Sequence, residues 1–258
     1  SSHTPEGITM KTVLITGCSS GFGLATARHF HARGWRVLAT MRTPRADVLP
    51  ADERLRVLQL DVTNAASIRA AIDAAGPIDV LVNNAGFGAP APFELTPTAT
   101  VRALFETNTF GTFAVTQAVL PQMRERGAGV IVNVTSSVTY KAMPLVGAYR
   151  AAKAAVNALI ESLACEVEPF GVRVHLVLPG SSGETRFRET ARDGLRGLDD
   201  PVYGAFMQQA IARMQASTGP GTQAKDVAEA VWRAATDPSS PLRLPAGADA
   251  VQWAAEAH

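Results

Sequence analysis

Short β-branched runs alternate with longer stretches whose apolar residues recur at helical spacing, from residue 11 to about residue 180. The runs at 12–16, 36–40, 55–60, 80–82, 130–135 and 172–178 are mostly apolar and read as strands buried on both faces. Between them, 21–33 carries Leu24, Ala27 and Phe30 three apart and predicts a helix. Asn64 is placed to cap a helix running to about 75. Longer helices are predicted over 98–124 and 149–168, the second ended by Pro169 and Gly171. Strands of this kind joined by helices imply a parallel sheet covered on both faces, with right-handed crossovers. After Pro179 the regularity fails: 203–214 and 226–236 predict helices and 242–244 a last edge strand, giving about seven strands. Residues 1–10 read as a loose tail and 11–258 as one domain, with 180–219 as a cover over the substrate.

Composition narrows the partners. The chain has 258 residues, 47% of them apolar and 18% charged, enough for a substantial core. Its basic side is 20 Arg against 4 Lys, yet the formal charge is only +1, which offers no continuous surface for counterion release; nucleic acid is not expected as a partner. Two cysteines, Cys18 and Cys165, make no disulfide scaffold, and no metal cluster is expected. No run of 18 apolar residues and no leader pattern is seen, so the expectation is a cytoplasmic protein without a membrane partner.

Thr16-Gly17-Cys18-Ser19-Ser20-Gly21-Phe22-Gly23 stands where the first strand passes into its helix. Glycines at a tight turn let a phosphate approach closely, and the free N–H groups of the helix start meet its charge. The spacing has no Lys-Ser/Thr ending, which rejects a nucleotide-triphosphate loop. The end of the second strand should meet an adenosine ribose. An acid there would suit two free hydroxyls, but Thr40 and Met41 stand there, followed by Arg42. A guanidinium fork suits a 2′-phosphate, and a solvated loop cation is the competing reading of Arg42. Asp61, after the third strand, either accepts from an adenine amino group or caps the helix start near Asn64.

Tyr149 and Lys153 are four apart at the start of a predicted helix, on one face and about 6 Å apart along its axis. A phenol titrates near 10; a neighbouring ammonium stabilises the phenolate and lowers that value, so the pair can pass a proton to or from an alcohol oxygen. Ser136 ends the fifth strand on the same rim as the glycine turn, where ligands collect in a parallel sheet. Strand alternation lets only one of Ser136 and Ser137 face the pocket well, and no GxSxG elbow makes either a nucleophile.

Taken in order, TGCSSGFG at 16–23, NNAG at 83–86, Asn108, Ser136, YxxxK at 149–153 and PG at 179–180 resemble the classical short-chain dehydrogenase/reductase family. The resemblance runs from Lys11 to about Pro179 and more loosely to the C-terminus. It implies a Rossmann-type doubly wound α/β sheet. It also implies that Gly17, Ser19, Ser20, Gly21, Phe22 and Gly23 hold the dinucleotide, with Asp61 and Val62 at adenine. Asn83, Asn84, Ala85 and Gly86 would line the cofactor side of the sheet, with Pro179 and Gly180 beside the nicotinamide. The threonine often found shortly after that pair is displaced here to Thr185. By the same resemblance Tyr149 is the acid/base, Lys153 bonds the nicotinamide ribose and lowers the Tyr pKa, Ser136 orients the substrate, and Asn108 holds a water of the proton relay. The turn and the tail Arg-Leu-Pro-Ala-Gly-Ala-Asp-Ala at 243–250 are similar to a subgroup containing steroid and retinol dehydrogenases and bacterial oxidoreductases, one that often prefers NADP.

The expected reaction is therefore NADP(H)-dependent, with NADP(H) preferred over NAD(H), interconverting a carbonyl and an alcohol. Phe87, Met143 and Leu145 on one wall, and Phe187, Leu195, Leu198, Tyr203, Phe206 and Met207 on the other, predict a pocket for a bulky or apolar small molecule. A non-catalytic dinucleotide sensor on the same fold is the competing class; it would be expected to lack Tyr149 or Lys153, and both are present. Ala- and Leu-rich faces on the helices at 98–124 and 149–168 predict a homodimer or homotetramer.

Overall fold

The structure is a computed structural model that describes residues 9–182, 195–217 and 219–257. Most of the expected 1–10 tail lies outside that range, as do Thr185 and Phe187.

Seven parallel strands form one sheet: β1 (Thr12–Ile15), β2 (Arg36–Met41), β3 (Leu55–Gln59), β4 (Val80–Asn83), β5 (Gly129–Val134), β6 (Val172–Pro179) and β7 (Arg243–Ala246). They lie in the order β3-β2-β1-β4-β5-β6-β7. The order reverses between β1 and β4, which pair from Val13 beside Val80 to Ile15 beside Val82. A crevice opens outside the carboxyl ends of such strands at the reversal, and it is where ligands bind in open α/β sheets.

Each strand sends alternate residues to opposite layers, so its apolar run splits into two cores. Val13, Ile15, Val37, Val82, Val132 and Val177 pack under α1 (Gly21–Ala32) and the later helix Ala224–Thr236. Leu14, Leu38, Leu81, Ile131, Leu176 and Leu178 face α2 (Ala65–Ala75) and the two long central helices. Most of these side chains are wholly buried, each worth about 1.5–3 kcal/mol against exposure. Asn64 caps α2 as expected, its Oδ1 accepting the Ser67 amide at 2.9 Å.

The helix predicted over 98–124 is in fact three pieces: α3 (Thr98–Phe105), a wide π-type turn over Glu106–Gly111, and α4 (Thr112–Arg126). The bulge has a local cause. Asn108 is held by the backbone of Phe87, and Gly111 lies so close to Val62 that a Cβ there would fall 2.6 Å from its Cγ2. Such bulges concentrate at functional sites. Helix α5 (Gly147–Val167), which carries Tyr149 and Lys153, starts two residues earlier than expected. Beyond β6 come α6 (Gly204–Ala216), α7 (Ala224–Thr236) and β7, then a further helix, α8 (Ala248–Glu256), which the apolar pattern did not indicate.

Candidate active site

The glycine turn closes against the loop after β4. Gly17 has φ +72°, and a Cβ on it would lie 2.9 Å from the Ala85 Cα; one on Gly23 would lie 2.2 Å from the Gly17 carbonyl oxygen. Asn84 Nδ2 donates to the carbonyls of Thr16 and Gly17 at 3.2 Å, and Thr16 Oγ1 accepts the amides of Asn84 and Ala85 at 3.0 Å. From the other side the Cys18 amide donates to the Thr40 carbonyl at 2.9 Å. Ser20 precedes α1 in extended conformation without capping it, and the first turn of α1 carries no acid. The positive end of that helix therefore faces the rim with its amides uncapped by side chains, the arrangement that receives an anionic group, and the glycines let the turn close tightly on the loop after β4. Ser19 is half-buried, and Phe22 turns its ring onto the α1 core, leaving its backbone to the rim.

Arg42 is exposed just past β2, and its charge reaches Asp61. Asp61 Oδ1 accepts the amide and hydroxyl of Thr63 at 2.9 and 2.7 Å, bonds that, with the Arg42 charge, hold its carboxyl below the usual range. One oxygen of Asp61 is thus spent on the turn before α2, while Asn64 does the capping. Val62 is buried against Gly111.

Asn83 needs a correction. Its side chain is buried under α4, where Nδ2 donates to Thr116 Oγ1 at 2.9 Å and to Asn133 Oδ1 at 3.0 Å. It shares the parity of Leu81 along β4, which turns it into the helix layer instead of toward the rim. The residue that grips the rim is its neighbour Asn84, the second of the NNAG pair; strand alternation separates the two.

Ser136 and Ser137 divide as alternation requires. Ser137 Oγ donates to the Leu178 carbonyl at 2.8 Å, deep in the sheet, while Ser136 is hydrogen-bonded through its side chain to Tyr149. Helix α5 also secures the Ser136 turn: Arg150 donates to the carbonyls of Val138 at 2.7 Å and Thr139 at 3.3 Å. Neither bond was legible from spacing.

Lys153 is 6% exposed; its Nζ donates to the Val134 carbonyl at 3.3 Å and lies 5.8 Å from the centre of the Tyr149 ring. Burial pushes the Lys153 ammonium down to about 8. Tyr149 departs from expectation. Its hydroxyl is pushed up to about 12 by burial, with the Ser136 hydrogen bond pulling the other way. The ammonium, held by the Val134 carbonyl, does not offset that burial, so the free enzyme keeps its phenol protonated.

Asn108 is buried, and its amide clasps the backbone of Phe87: Oδ1 accepts the Phe87 N–H at 3.0 Å and Nδ2 donates to the Phe87 carbonyl at 2.9 Å. Gly86 makes this possible, since a Cβ there would lie 2.3 Å from Asn108 Oδ1 and 3.1 Å from Lys153 Nζ.

Of the expected pocket residues, Phe87 and Met143 are half-buried, Phe87 against Asn108. Leu145 is buried and packs on Met207 and Ala210 of α6, with Leu195 against them, so it seats the cover more than it faces open space. Its φ of +71° is the one left-handed conformation outside glycine among the described residues. Tyr203, the half-buried residue before α6, donates to Glu94 at 2.5 Å; Phe206 is 48% exposed on the outer side of α6, with Met207 buried on the inner. Gly180 follows Pro179 at the end of β6, its amide donating to Thr222 Oγ1 at 2.9 Å. Among the described residues no group of three or more His, Cys, Asp or Glu is arranged for a metal ion, and no helix is long and apolar enough to cross a membrane.

A parallel sheet with a glycine turn at its order reversal and a Ser-Tyr-Lys group on the same rim defines an oxidoreductase of the dinucleotide-binding class. The short chain dehydrogenase family model matches residues 11–195, and the chain belongs to that family as an NAD(P)-dependent enzyme. It is 38% identical over 202 residues to 3-ketodihydrosphingosine reductase of Bacteroides thetaiotaomicron, a match covering 76% of this chain and 73% of that protein. A short-chain dehydrogenase from Streptomyces avermitilis superposes with TM-score 0.81 at 35% identity, over 96% of this chain and 92% of that one. One from Burkholderia cenocepacia, solved with NADP, gives 0.77 at 26% identity, over 95% and 92%.

Proposed function

We propose that the protein interconverts an apolar ketone or aldehyde and its alcohol by hydride transfer, using NADP(H) in preference to NAD(H), with Tyr149 as the acid/base. The observation that carries this reading is the hydrogen bond between Ser136 and Tyr149 beside the buried Lys153, on the rim that holds the glycine turn. The nicotinamide, when bound, supplies or accepts the hydride. Gly17, Ser19, Ser20, Gly21, Phe22 and Gly23 hold the pyrophosphate, Arg42 meets a 2′-phosphate, Asp61 and Val62 border adenine, and Ala85, Gly86, Pro179 and Gly180 border the nicotinamide end.

In the reductive direction Tyr149 keeps its proton until a substrate oxygen gains charge, then gives it up, while Ser136 donates to the same oxygen. Burial, which pushes the phenol up to about 12, keeps its acid form present throughout the neutral range. Lys153 stays cationic below about 8 and stabilises the phenolate left behind. Asn108, through its backbone, orders the water that returns the proton. Phe87 beside Asn108, and the cluster of Leu145, Met207 and Ala210 that seats α6, give this end of the site an apolar character that favours a lipid-like ketone, in keeping with the keto-lipid substrate named for the Bacteroides relative. The reading also includes a cytoplasmic location and a homodimer or homotetramer formed through the outer faces of α4 and α5.

Loss of absorbance at 340 nm, with NADPH and a panel of alkyl and cyclic ketones, tests the reading. Tyr149→Phe is expected to lower kcat by about a hundredfold or more. Undiminished turnover by that variant would overturn the assignment.

A further inference from the structure

The tail Arg243 to Ala250 has no part in the chemistry above, yet it reaches the rim. Gly247 has φ +103°, and a Cβ on it would fall 2.0 Å from Thr222 Oγ1; one on Gly180 would fall 2.1 Å from Asp249 Oδ1. These two glycines let three distant segments touch: the exit of β6, the stretch before α7, and the start of α8.

The contacts made there satisfy the exit's backbone almost group by group. The Gly180 amide donates to Thr222 Oγ1 at 2.9 Å, and the Ser181 amide to Asp249 Oδ2 at 2.7 Å. In return the Thr222 amide donates to the Ser181 carbonyl at 2.9 Å. The Thr222 hydroxyl has one proton and two acceptors in reach, Asp249 Oδ1 at 2.7 Å and the Ala246 carbonyl at 2.9 Å. Asp249 sits in the first turn of α8, where the helix favours its negative charge. Water would satisfy the exposed Ser181 amide equally well; a carboxylate in its place fixes where the chain goes. The preceding residue but one, Leu178, takes the Ser137 hydroxyl at its carbonyl, which ties the same strand end to the turn that carries Ser136.

We propose that Thr222 and Asp249 are positioning residues that clamp Pro179, Gly180 and Ser181 in the place from which they border the nicotinamide end of the bound dinucleotide. The proposal rests on the reading given under Proposed function.

The test uses the full chain with Thr222→Val, Thr222→Ser and Asp249→Ala, and two probes: NADPH and its nicotinamide-free fragment 2′-phospho-ADP-ribose. Affinities are read by titration calorimetry, and hydrogen exchange is read at the Gly180 and Ser181 amides of the free protein. Thr222→Val and Asp249→Ala are expected to weaken NADPH about tenfold, the equivalent of one net hydrogen bond, while binding of the fragment is unchanged. Exchange at the two amides should quicken, and Thr222→Ser should restore both readouts. Equal weakening of NADPH and fragment, or no change in either, would overturn the clamp. A wild-type protein that binds neither probe would bring down the dinucleotide reading itself, a distinct result. Should Thr222→Val fail to fold, Asp249→Ala, at the half-buried start of α8, decides the matter alone.

Discussion

Replacing Lys153 by Met should stabilise the protein while abolishing its activity. The ammonium is 6% exposed, and burial has moved its titration from the ordinary 10.5 to about 8. Each pH unit of that displacement corresponds to about 1.4 kcal/mol, so holding the charge inside the fold at pH 7 costs about 3 kcal/mol. Met fills a similar volume without the charge but leaves the Val134 carbonyl without this donor, a loss of about 1 kcal/mol. A net gain of about 2 kcal/mol follows, which in a domain of this size raises Tm by about 4–8 °C.

The pH dependence checks the sign. Lys153 releases its proton near 8 in the folded state and near 10.5 in the unfolded one, so between those values the unfolded chain binds more protons and wild-type stability climbs with pH. Tyr149 opposes this only above 10, where the unfolded phenol ionises while the folded one holds its proton to about 12. Urea unfolding of wild type at pH 7.0 and 8.5 should show the climb, below the range where the buried Cys18 thiol, pushed from 9.0 up to about 12, works against it, and Lys153→Met should be nearly flat across the same interval. A variant less stable than wild type at pH 7, or one that keeps the climb, would refute the claim that desolvation of this ammonium governs the site.

Gly86→Ala would place a methyl group 2.3 Å from Asn108 Oδ1; expelling that amide from Phe87 should cost about 1–3 kcal/mol by urea titration and lower kcat/KM at least tenfold. In the pH profile of kcat/KM for ketone reduction, the limb above about 8 is assigned to Lys153 losing its charge, and Lys153→Arg, if active, should erase that limb. Arg42→Ala should raise KM for NADPH about tenfold and leave KM for NADH nearly unchanged, read from initial rates with each cofactor; equal effects on both would make Arg42 a solvated surface cation.

The fold was legible because its strands are apolar on both faces, a pattern that leaves few architectures open. Tyr149, Lys153 and Ser136 were legible from helical spacing and strand parity, which act over a few residues. What escaped is carried by contacts between segments distant in sequence. The break at Glu106–Gly111 depends on Phe87 and Val62; the reassignment from Asn83 to Asn84 depends on which layer β4 turns toward; the Thr222–Asp249 contacts depend on three segments meeting at the rim. The raised Tyr149 pKa belongs with these. A nearby lysine is visible in the sequence, whereas the depth at which both groups lie is set by the packing of α5 against the sheet.

These distant contacts share a chemical form. Asn84 holds carbonyls of Thr16 and Gly17, Asn108 holds the amide and carbonyl of Phe87, and Arg150 holds carbonyls of Val138 and Thr139. In each case a side chain on one element grips the backbone of a loop at the carboxyl edge, where loops have no ladder of their own. That arrangement fixes the rim before anything binds, so less binding energy goes to ordering loops. It also explains how the site tolerates a buried ammonium and a phenol far from its ordinary pKa. Neither group has to hold its own loop in place, so Lys153 can be removed at a gain in stability while Asn108, which touches no reacting atom through its side chain, cannot be displaced without loss of both stability and rate.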